Sequence, residues 1–311
     1  MNAPANAVLQ PAVDARPAAP AEPRPIRPFY WSLRRELWEN RSIYLAPLGV
    51  AAFAVLALVI HAITMPSHMP GMLANDPADP QSASVTYRVA ALLMLVTAFV
   101  VAAFYCLEGL SSERRDRSIL FWRSLPVSDL TTVLAKACVP LVVLPVVTFA
   151  AIVAMHLALL LLSTVALLLN GHAAGPLWRE LQPFRMWLAM LYSLIALTLW
   201  HAPIHGFLLL VSGWARRTAA LWAVLPLLAL GLLEKLTMDT THVGAWVRDR
   251  LIGWYPRAFG APALGERVPF NPATGLTPER FLASPGLWIG LVLAAVFVAG
   301  AVRMRRLREP I

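Results

Sequence analysis

Six apolar runs without a single Asp, Glu, Lys or Arg limit what this chain can fold into more than any other feature. They cover residues 43–63, 89–107, 139–169, 186–211, 218–233 and 287–302. A helix needs about 20 mostly apolar residues to cross roughly 30 Å of hydrocarbon. The expected fold is therefore all-α: an integral membrane protein with six transmembrane helices. Composition supports this. Apolar residues make up 59% of the chain and charged residues 14%, against roughly 45–50% and about 25% in soluble domains. A soluble enzyme of this size would need far more polar surface, and disorder is excluded for most of the chain. The net charge of +9 is split into short clusters between the apolar runs. Nucleic acid is not an expected partner, because no single basic face forms.

Charge also orients the spans, since cytosolic flanks are rich in Lys and Arg. With six spans and the N-terminus inside, the cytosolic segments hold 17 basic residues and the two short outer loops only Arg88, Arg179 and Arg185. The long outer segment, 234–286, holds 6 basic and 5 acidic residues. The run from Thr131 to Leu169 has 39 residues, about 58 Å if helical throughout, and reads either as one projecting helix or as two tight spans. A seventh span would place Arg216, Arg217 and the cluster from Arg303 to Arg308 outside, so one helix is expected. Both termini are then cytosolic.

Residues 1–25 read as a disordered, Ala/Pro-rich cytosolic tail without the apolar core of a signal peptide. The six-helix domain takes up 26–311. Just before the first span, Phe29, Leu33 and Leu37 recur at helical spacing, with Trp31 and Trp38 nearby and Arg34, Arg35, Glu36 and Glu39 on the other side. This suits an amphipathic helix in the membrane interface. Cys106 and Cys138 form no CxxC pair or metal pattern, and no disulfide is expected at the cytosolic side.

The loop after the second span is the most informative segment. Glu113, Arg114, Arg115, Asp116 and Arg117 carry both signs of charge; Ile119, Leu120, Phe121, Trp122 and Leu125 are apolar, with Arg123 between them. Pro126 ends a short helix, and Ser128 and Asp129 are suited to cap the next. By itself this reads first as a solvated positive loop with interfacial aromatics, and only second as a docking lever. The run ERRDRSILFWRSLPVSD (113–129), with Lys136 seven residues on, resembles the coupling-helix region of ABC-2 type permeases. The six spans, cytosolic termini, amphipathic first helix and long segment between spans five and six fit the same family, so the resemblance covers about 26–308. Asp129 departs from it, since many relatives carry a basic residue there.

The resemblance implies the permease subunit of an ATP-driven exporter, with no enzymatic site of its own. No GxxxxGK[ST] loop occurs in the chain, so ATP and Mg would be held by a separate ABC ATPase subunit. It also implies a second permease copy or paralogue, membrane lipid around the spans, and a cytosolic coupling helix between spans two and three. Phe121, Trp122 and Leu125 would fill a cleft on the ATPase; Glu113–Arg117 and Arg123 would form the rim. The alternative is a non-transporting anchor or sensor that uses the same loop only for docking.

No Asp or Glu lies well inside the spans, so no proton relay is evident. His201 and His205 stand at i, i+4 on span four, but Ala202 occupies the position where HExxH needs Glu, and no third ligand is evident. Metal catalysis is not expected. Together with His156 on span three they are candidates for a polar lining of a translocation path. In the outer segment, Val243 to Trp254 is amphipathic and reads as a re-entrant or interfacial helix or as part of a small cap, with irregular structure from Tyr255 to Pro278. The apolar spans with scattered Ser, Thr and His suit lipids, hydrophobic peptides and amphiphilic drugs alike.

Overall fold

The computed structural model describes residues 28–64, 82–115, 127–215, 218–260 and 275–307. Within them every regular element is helical and none is a strand. Among the described residues six helices are long and apolar enough to cross a membrane. The first helix, α1 (Pro28–Glu39), leads by a tight turn into span one, α2 (Ser42–Thr64). Span two is α3 (Ser82–Glu108), followed by the single turn α4 (Ser111–Arg115).

Span three begins at α5 (Asp129–Cys138), where the Ser128 hydroxyl accepts from the Thr131 N–H at 3.1 Å, the cap expected from its sequence. A π turn (Val139–Val143) joins it to α6 (Leu144–Leu169), giving one continuous helical path of 41 residues rather than two spans. The π turn has a local cause. Pro140 and Pro145 supply no N–H, and the Leu144 N–H reaches back five residues to the Val139 carbonyl.

After α7 (Gly175–Leu181) comes span four, α8 (Pro183–Trp214), then span five, α9 (Ala219–Met238). The outer segment folds as α10 (His242–Ile252), α11 (Trp254–Phe259) and α12 (Pro278–Leu282), and span six is α13 (Pro285–Leu307). The irregular stretch expected from Tyr255 thus starts later. Tyr255 and Pro256 lie in a helix whose Trp254, Ala258 and Phe259 are buried, so tertiary packing overrides the weak local signal. Residues 1–25, and 116–126 of the loop after span two, lie outside the described residues.

Span four is the axis of the bundle, buried at intervals from Met186 to Gly213. Span five is the opposite case: Ala223 is its one buried residue among those described. Many Leu and Val side chains on the spans, such as Leu161, Leu188, Leu228 and Val292, are exposed, as expected where the solvent is hydrocarbon. Helices in lipid gain little by hiding apolar surface from one another and rely on close packing through small residues. Spans four and six show this. A β carbon on Gly206 would sit 3.1 Å from the Ala294 carbonyl oxygen, and one on Gly300 3.1 Å from Leu210 Cδ1.

The first helix departs from expectation at one residue. Leu33 and Leu37 pack inward while Trp31 and Trp38 face out, but Glu36 is only 2% exposed. Its charge belongs to the inner face, not the polar side. Gly206→Leu is expected to force spans four and six apart at a contact made by backbone, lowering stability by about 1–3 kcal/mol; thermal unfolding in detergent measures it.

Candidate functional site

The least expected feature lies at the end of the bundle where α1, α4, α5 and the last turns of spans four and six meet. Glu36, Glu113, Arg114, Lys136 and Arg305 are all buried there. Buried charges in a chain this apolar are costly unless paired, and these are paired across long sequence distances. The Lys136 ammonium donates to Glu36 Oε1 at 2.7 Å and lies 3.2 Å from Glu113 Oε1. Arg305 Nη1 donates to the other Glu113 oxygen, and Arg305 Nε donates to Asp129 Oδ1 at 3.0 Å. The Tyr105 hydroxyl at the end of span two donates to Glu36 Oε2 at 2.8 Å. Arg35 Nη2 reaches Glu113 Oε1 at 3.5 Å while its Nε holds Glu39 at 2.6 Å.

Glu113 is therefore the hub. Its carboxylate is shared by Lys136 from span three and Arg305 from span six, with Arg35 of α1 at its edge. Arg114, the next residue, serves a different end. Its Nη2 donates to the carbonyls of Ser212 and Ala215, where span four runs out of N–H partners and its dipole is negative. The Ser212 hydroxyl in turn accepts from the Leu110 N–H at 3.2 Å. One turn of chain thus ties span two to spans three, four and six.

This arrangement gives the residues of the loop after span two distinct positions. Glu113 and Arg114, assigned to a partner-facing rim by resemblance, point into the chain. Arg115 borders a groove of about 580 Å³ together with Phe104, Glu108, Ser111 and Thr218. Asp116, Arg117, Ile119, Leu120, Phe121, Trp122, Arg123, Leu125 and Pro126 lie outside the described residues. Sequence reading missed Glu36, Tyr105, Asp129 and Arg305 as members of one cluster. The available signal was Glu36 at helical spacing from Leu33 and Asn40, a charge on the buried stripe.

The three histidines fall in two places. His156 is fully buried, its Nε2 3.4 Å from the Tyr87 carbonyl, while the Tyr87 hydroxyl pairs with Ser163 at 3.2 Å. His201 and His205 stand 6.5 Å apart by ring centroid, both against Phe99. His201 Nε2 is 2.9 Å from the Leu251 carbonyl and its Nδ1 2.9 Å from the Leu197 carbonyl. It therefore serves the C-terminal end of α10. Among the described residues no three His, Cys, Asp or Glu side chains gather as a metal site requires. Both cysteines are free thiols.

At the other end of the bundle, Trp200 is flanked by Arg250 and Arg257, each guanidinium carbon 4.6 Å from the ring centroid. The indole N–H donates to the Asp249 carbonyl at 3.2 Å, and Arg250 donates to the Gly286 carbonyl at 2.8 Å. Burial lowers the Arg250 pKa from its ordinary value, and the charge of Arg257 adds to this. The packing fixes α10 and α11 onto spans four and six.

Comparison with known proteins yields no match among family models, curated proteins or solved structures.

A buried hub of this kind makes a sharp prediction. Glu113→Ala withdraws the carboxylate shared by Lys136 and Arg305, and is expected to cost about 3–5 kcal/mol. Exchanging the charges of the other pair, Glu36→Lys with Lys136→Glu, is expected to recover part of what either single change loses. Melting temperatures of the four proteins in one detergent decide it.

Proposed function

We propose that this chain is the membrane subunit of an ATP-driven exporter of the ABC-2 type, working with a separate ATPase and a second permease. The observation that carries the reading is the buried ion network around Glu113. Glu113 lies within three residues of position 116 in the sequence, and the network joins α1, α4, span three and span six. Three features recommend this position for a mechanical input. The anchoring pairs are buried, so solvent does not loosen them as it loosens surface ion pairs. They connect elements far apart in sequence. They lie at the end rich in Lys and Arg, which positive-inside bias assigns to the cytosol.

In this reading α1 lies in the cytosolic interface with Tyr30, Trp31 and Trp38 at headgroup level. The segment 116–126 acts as the coupling helix, and Phe121, Trp122 and Leu125 seat in a cleft of the ATPase. ATP and Mg belong to that partner. When the nucleotide sites close, the displaced segment pulls on Glu113 and Arg114. Those two residues pass the displacement to spans three, six and four together, as a rigid-body change. The six apolar helices fit a multi-pass protein of the bacterial inner membrane with both termini in the cytosol.

The test is coupling, not insertion. Phe121→Ala combined with Trp122→Ala is expected to leave the permease in the membrane at normal level and to abolish both ATPase co-purification and vesicle transport. Transport that survives the double substitution defeats the proposal. Stable capture of a cytosolic partner with no nucleotide dependence would mean a docking protein instead.

A further inference from the structure

Span four carries a histidine that nothing above uses. His205 is 4% exposed, and among the described residues neither ring nitrogen has a hydrogen-bond partner. A neutral imidazole presents one donor and one acceptor, and leaving both unmet in a low-dielectric interior is costly. The ring borders a small pocket that it shares with Phe99 of span two and with Pro140, Leu144 and Pro145 of span three. The pocket measures about 10 Å³, the lower limit for a single water at about 10–15 Å³.

The lining carries a second polar group, the Thr198 hydroxyl. A buried water needs two to four polar partners (roughly three on average). Pro140 and Pro145 each lack an N–H, which interrupts the regular helical bonding of span three beside the pocket. The π turn between them has already displaced the normal bonding pattern. In membrane helices such freed backbone groups are commonly met by ordered water or by side chains from a neighbouring helix. Here the neighbouring side chain is an imidazole with both nitrogens to offer.

We infer that this pocket binds one structural water, bridging the His205 ring to the proline-interrupted turn of span three. The volume suits a single water, and among the described residues no second metal-ligating side chain lines it. Its position is mechanical. The turn begins three residues after Lys136, one of the residues through which the ion network grips span three. A water can follow the carbonyls whether the turn bonds five residues back or four, so span three bends here without stranding polar groups. The inference does not rest on the exporter reading.

Histidine labelled with ¹⁵N in the ring, in the full chain reconstituted into phosphatidylcholine–phosphatidylglycerol bilayers, allows a direct test. Water-edited solid-state NMR reads magnetisation passed from water to each ring. His205→Phe assigns the signal by its loss; where that variant fails to insert, His205→Gln, which keeps a donor and an acceptor, assigns it equally. The His205 signal is expected to build up with that of exposed His172. A His205 signal that receives no transfer while His172 does overturns the inference.

Discussion

One shared carboxylate organises one end of this protein. Glu113 sits between a lysine that begins span three and an arginine that ends span six, and the pairs are sealed from solvent. Elsewhere the spans meet mainly through apolar side chains and small residues, contacts that are adaptable in a bilayer because lipid competes for the same surface. An ion cluster does not slide in this way. It has a defined geometry, and displacing one member exposes the charge of another. The apolar bundle therefore has one end where relative helix positions are set discretely and a remainder where they are set by shape.

Arg114 extends the same logic without a carboxylate. The last carbonyls of span four have no helical donors, and a guanidinium supplies them. Span four is the most buried helix, so anchoring its end fixes the axis around which the others pack. At the opposite end the anchors are of another kind: a tryptophan between two guanidiniums and backbone carbonyls of α10. The two ends are thus held by different physics, ion pairing at one and stacking with neutral acceptors at the other.

The spans were legible because charge is so expensive in hydrocarbon that its absence over 16 or more residues marks a helix wherever it occurs. Ser128 was legible as a cap because its signal is local. The cluster was not, and the reason is separation: Arg305 and Glu113 lie 192 positions apart, and no pattern along the chain records such a pairing. Glu36 misled for a related reason. A charge on a short amphipathic helix is assigned to water by default, and only a buried lysine from another helix reverses that. His201 and His205 shared one helix face as the spacing required, yet their surroundings differ completely, with carbonyls on one ring and proline-broken helix beside the other.

Span five has a separate consequence. Its side chains are nearly all turned away from the chain that carries them, with Ala223 the exception among its described residues. Replacing those outward side chains by others of similar hydrophobicity removes almost no intramolecular contact. Tolerance to such changes in the isolated subunit, set against intolerance in the assembled membrane, becomes a map of whatever neighbour the helix leans on.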